Sequence, residues 1–83
     1  MNKQVLQDME KEWKEMAHYL CQNCKDKNLR ETVFDRLVWL KMQIDRCKQV
    51  NEFDPLLYYF NETVYYYNNT LKLPNDKQFK ELK

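Results

Sequence analysis

The chain has no glycine and no serine, and only two prolines and one histidine, among its 83 residues. Without glycine it cannot build a phosphate-cradling loop or a dinucleotide fingerprint. Without serine there is no serine nucleophile. No apolar run approaches the roughly 20 residues of a membrane span. The opening Met1-Asn2-Lys3-Gln4 leads into an amphipathic pattern, not the apolar stretch of a secretory signal, so the expected address is cytoplasmic. An excess of one charge is missing as well. Fourteen Lys and Arg against thirteen Asp and Glu leave +1, which removes both the long-range attraction for nucleic acid and the acidity of a DNA mimic. Three cysteines, an odd number, fit reduced thiols better than a disulfide framework.

What is present is helical periodicity, repeated three times. Leu6, Met9, Trp13, Met16 and Leu20 form one seam, Val33, Leu37, Leu40, Ile44 and Cys47 a second, and Leu57, Phe60, Val64, Tyr67 and Leu71 a third. Steps of three or four residues keep one face of an α-helix apolar. The pattern predicts an all-α fold, a small antiparallel three-helix bundle with helices over about 2–25, 29–50 and 55–73. Asn28 with Glu31 supplies a capping box for the second helix, and Asp54 with Pro55 opens the third. Phe53 and Tyr58 stand at the positions of a hydrophobic staple. Pro74 disfavours helix in the residue before it and closes the third helix near Leu73. Residues 1–74 read as one domain and 75–83 as a tail, able to form a short helix with Phe79 and Leu82 on one side. Asn61-Glu62-Thr63 and Asn68-Asn69-Thr70 match glycosylation sequons, but without a secretion signal they read as helix-surface asparagines.

Apolar residues outside the seams carry the functional clues, the best of them the tyrosine pair on helix three. Phe34, Val38 and Met42 make a second stripe on helix two, well over 90° from Leu37 and Leu40 at 100° per residue. Either helix two is central and buries this stripe against its neighbours, or the stripe stays open as a dimer or partner site. On helix three, Tyr59 and Tyr66 widen the core seam, whereas Tyr58 and Tyr65 fall among Glu62, Asn69 and Lys72. Tyrosine on a polar face pairs apolar area with a hydroxyl, the chemistry favoured at binding surfaces.

The residues that could do chemistry do not converge. His18, Cys21, Cys24 and Cys47 are zinc-ligand types, yet on one helix His18 and Cys24 stand about 120° and roughly 9 Å apart. In an antiparallel hairpin Cys47 would lie about 20 Å from Cys24. Cys21-Gln22-Asn23-Cys24 has the thiol redox spacing but sits at a helix C-terminus, where the dipole opposes thiolate. Glu10, Glu12 and Glu15 read as a solvated face pairing with Lys11 and Lys14, with ordinary acidity. Arg30, Lys41 and Lys48 share one side of helix two, while Asp35 and Asp45 interrupt the positive field.

The expectation is a non-enzymatic protein–protein interaction module with no cofactor, metal or small-molecule substrate, acting by binding or occluding a partner protein. Its surface would comprise Tyr58 and Tyr65, or Phe34, Val38 and Met42, with a homodimer as one use of it. Its size suits a regulator or inhibitor from a phage or mobile element. A nucleic-acid-binding transcriptional regulator is the alternative, and a thiol-based metal or redox module the third.

Overall fold

The structure is a computed structural model that describes residues 3–50 and 54–82, the side chains of Val50 and Asp54 excepted. It is an all-α bundle of three helices, α1 over Lys3–Asn23, α2 over Lys27–Val50 and α3 over Asp54–Thr70, followed by a 3₁₀ turn at Asn75–Lys77. At 1.5 Å per residue the longest helix is about 36 Å, which matches the 37 Å long axis of the molecule. Among the described residues there is no strand, and no helix is long and apolar enough to cross a membrane.

α2 is the central helix and packs against both α1 and α3. Cross-contacts fix the antiparallel directions. Lys48 near the end of α2 pairs with Glu10 near the start of α1. Across the other seam, the Arg36 Nε donates to Thr63 Oγ1 at 3.4 Å, and the rings of Trp39 and Tyr59 meet edge to face at 5.2 Å. All five residues of the second seam are buried, as are Met9, Met16 and Leu20 of the first. Leu6 and Trp13 are half-buried, and the Trp13 indole N–H donates to the Leu37 carbonyl at 2.6 Å, linking α1 to α2. On α3 the core stripe is Leu56, Phe60, Thr63, Val64 and Tyr67. The expected seam began one residue late. Leu57 lies 100° further around the helix than Leu56 and is only half-buried.

The helix ends also differ from expectation. Asp26, not Asn28, caps α2. Its carboxylate accepts the Leu29 N–H at 3.2 Å while its carbonyl accepts the Arg30 N–H at 2.9 Å. A charged acceptor three residues before Leu29 holds the orphan donors at the positive end of the helix dipole, so α2 starts two residues earlier. The expected staple of Phe53 with Tyr58, and the Asp54 side-chain cap, lie outside the described residues.

α3 stops at Thr70, before Pro74 can act. Lys72 adopts φ 55°, the Leu73 N–H reaches back to the Asn68 carbonyl at 3.0 Å, and the Lys72 N–H to the Asn69 carbonyl at 3.2 Å. This pair of bonds is a Schellman motif, normally closed by glycine. A chain without glycine fills the position with lysine, at a cost of about 1–2 kcal/mol for the left-handed backbone. Leu73 then turns into the core.

Candidate functional site

The tail is helical only in its 3₁₀ turn at Asn75–Lys77, and Phe79 and Leu82 lie beyond it. After the 3₁₀ turn the backbone becomes extended, with Gln78 at φ −70°, ψ 141°, the polyproline-II values. From there it runs antiparallel to α3, held by two asparagines. Asn68 Nδ2 donates to the Phe79 carbonyl at 2.8 Å, and the Phe79 N–H donates to Asn68 Oδ1 at 3.0 Å. Asn61 repeats the grip on Leu82, donating to its carbonyl at 2.7 Å and accepting its N–H at 2.8 Å. The main chain of Lys80, between the two clamps, lies close to Glu12 on α1, and Phe79 meets Tyr19 on the same helix. The tail therefore bridges α1 and α3.

The register follows from two helical periods. Seven residues of α-helix advance about 10.5 Å, and three residues of polyproline II about 9.3 Å. An extended tail of this rise thus lets asparagines at i and i+7 meet tail residues at j and j−3. The side chains follow suit, with Phe79 and Leu82 half-buried and Gln78, Lys80 and Glu81 exposed. Phe79 sets its ring edge to face against Tyr67 at 5.4 Å and against Tyr19 at 6.1 Å. Tyr67 is fully buried beneath it and donates its hydroxyl to the Met16 carbonyl at 2.7 Å. Burial, with the nearby Tyr19 phenol second, pushes the Tyr67 pKa well up, so it remains a neutral donor.

These positions revise two expectations. Asn61 and Asn68 are not surface asparagines. Asn68 is buried and Asn61 half-buried, each with its amide group engaged by the tail. Glu12 does not lie on a fully solvated face. Burial, then Glu15, raises its carboxyl above the usual range, partly offset by the Lys80 backbone and by Lys11. Among the described residues, the clamp is the part of the surface with the most directed geometry. The sequence offered one sign of it, two asparagines seven apart on the flank of an apolar seam.

The expected binding residues divide into two faces. Val38 and Met42 on α2 stand open at 42% and 62% exposure, and Tyr58 and Tyr65 on α3 at 62% and 66%. Phe34, from the same expected stripe, is half-buried and packs against the core, lining a shallow depression with Cys21, Arg30 and Asp35. The Tyr58 hydroxyl donates to Glu62 at 3.0 Å, and that bond raises the phenol's pKa. Its ring edges against Tyr59, which edges against Trp39, over which the Arg36 guanidinium sits at 4.5 Å. A continuous aromatic row thus crosses the α2–α3 seam and surfaces at Tyr58. Tyr65 instead borders a depression beside the tail, with Asn68, Asn69 and Phe79.

The basic side of α2 is engaged within the molecule. Arg30 donates to the Cys24 carbonyl at 3.1 Å, Lys41 pairs with Asp45 at 3.3 Å, and Lys48 pairs with Glu10, which raises the lysine's pKa. The thiols do not meet. Cys47 is buried, Cys21 is exposed, and the half-buried Cys24 thiol points to the Asp26 carbonyl at 3.6 Å. Among the described residues no group of three or more His, Cys, Asp or Glu could hold a metal ion. Comparison with protein-family models, with curated proteins and with solved structures gave no match to this chain.

Proposed function

We propose that this protein is a non-enzymatic interaction module that works by docking on, and occluding, another protein. The supporting observation is the set of four large apolar side chains that folding leaves open among the described residues: Val38, Met42, Tyr58 and Tyr65. Each is more than two-fifths exposed in a small domain that elsewhere buries its apolar residues in one continuous core. Tyr58 is the strongest anchor. Its ring is held by Tyr59 and its hydroxyl by Glu62, so little rotamer freedom remains to be lost on binding. The Val38–Met42 face suits a second contact or self-association. The charged residues around these faces would form a selective rim.

The test is affinity capture with three immobilised proteins: the wild type, a Tyr58→Ala/Tyr65→Ala double variant and a Val38→Lys/Met42→Lys double variant. A partner held by the wild type and lost with the tyrosine pair supports the reading. Light scattering over a concentration range shows whether the α2 face carries a dimer. A partner retained by both double variants would reject both faces.

A further inference from the structure

We propose that the groove between α1 and α3 is a receptor for an extended peptide segment of another protein, and that residues 78–82 occupy it in cis as a resident ligand. The segment it accepts is extended, entering in the polyproline-II geometry of Gln78, with an aromatic residue followed three positions later by an aliphatic one. This site adjoins Tyr65 and lies apart from Val38 and Met42, and it rests on none of the exposed residues proposed above.

The chemistry of the contact points to this use. Two carboxamides read the main chain and nothing else, each satisfying both the N–H and the C=O of a single residue. Such a grip is indifferent to side-chain identity. Sequence is read only by the Tyr19–Tyr67 aromatic corner that receives Phe79 and by the half-buried position of Leu82. The intervening Lys80 and Glu81 are exposed, so they carry no selection of this kind. Polyproline-II segments are favoured ligands of aromatic-lined grooves because little order remains to be imposed on them.

The connection to α3 favours exchange. The α3 cap at Lys72 and the buried Leu73 are complete before the 3₁₀ turn, so residues 78–82 can leave the groove without opening the helix end. An incoming segment must outcompete a tethered one at high effective concentration, so the intact protein binds more weakly than one whose tail is disabled.

The geometry also states what is refused. Proline lacks the N–H that both clamps require, so it is excluded at the positions of Phe79 and Leu82. At the position of Glu81, whose N–H makes none of these bonds, it is tolerated.

The experiment uses the full chain and a fluorescent peptide with the sequence of residues 76–82. A Phe79→Ala/Leu82→Ala variant, its helicity checked by circular dichroism, should bind the peptide at least about tenfold more tightly than the wild type. A peptide with proline in place of Phe79 should not bind, and one with proline in place of Glu81 should. The labelled wild-type chain is titrated with excess unlabelled peptide in parallel. Its Phe79 and Leu82 amide signals should move to disordered positions while the side-chain amides of Asn61 and Asn68 keep theirs. Failure of the folded variant to bind at millimolar peptide overturns the proposal. If the variant does not fold, the wild-type titration decides, and an undisplaced tail overturns it. A concentration-dependent dimer that the peptide dissolves would assign the groove to a second copy's tail, overturning the role for a foreign partner.

Discussion

The two flanks of α3 are bound in opposite ways. Towards α2, contact is made by side chains against side chains: Phe60 and Val64 in the core, Tyr59 against Trp39, Thr63 receiving Arg36. Towards the tail, the directed bonds run from side chain to main chain, through Asn61 and Asn68, with the Phe79 ring against Tyr67 as the side-chain contact. The first arrangement specifies its partner atom by atom and tolerates little change of volume. The second specifies a backbone conformation and leaves most side chains undetermined. One helix therefore carries a fixed seam and a readable one, and the difference between them is chemical rather than a matter of how much surface is covered.

Four substitutions separate the flanks, and the largest effect belongs on the α2 side. Phe60→Ala empties a fully buried site and should cost about 3–5 kcal/mol, a large part of the stability available to so small a domain. Urea titration followed at 222 nm should show one cooperative transition at a much lower midpoint. Asn68→Leu removes both bonds to Phe79 and should cost about 1–3 kcal/mol. Here the loss should be local. Hydrogen exchange at Phe79 and Leu82 should become fast while amides across the α2–α3 seam stay protected, and uniform loss of protection would erase the distinction between the flanks.

Lys72→Gly should act in the other direction. It relieves the left-handed lysine at the expense of a more flexible unfolded chain, for a net gain of about 0.5–1 kcal/mol in the same urea titration. The smallest effect is expected at Glu12. Its carboxyl is raised above the ordinary 4.5 by burial and by Glu15, so the folded protein holds that proton more tightly than the unfolded chain. The associated stability is present below pH 4.5 and is lost as pH rises through the raised value. Glu12→Gln removes the charge and keeps the shape of the side chain. It should raise Tm at pH 7 by about 1–2 °C, an advantage that disappears in acid.

Most of the fold was legible because it rests on one signal, apolar spacing. All five residues of the second seam are buried, α2 is the central helix, and Tyr58 and Tyr65 lie outside the core, each as the 100° wheel places it. Errors arose where a different interaction decides. Asn28 and Asp26 are both good caps, and only the turn geometry after Cys24 selects Asp26. Pro74 predicts an end near Leu73, whereas the backbone already reverses at Lys72, a residue that carries no mark of the left-handed region in its type. The tail was ambiguous for a deeper reason. Residues three apart share a side in an α-helix and in polyproline II alike, so Phe79 and Leu82 fit either conformation until their hydrogen-bond partners are known. Those partners are asparagines on another element, which hydropathy cannot single out.

The clamps also determine how the molecule would give way under load. Each asparagine holds one residue, and the two lie in series along the tail, Leu82 outermost and Phe79 nearer the hinge. Tension applied beyond Leu82 falls first on Asn61 alone and reaches Asn68 only after that grip has opened. The tail should therefore unzip in two small steps at low force, with the three helices still assembled, before the bundle itself begins to yield.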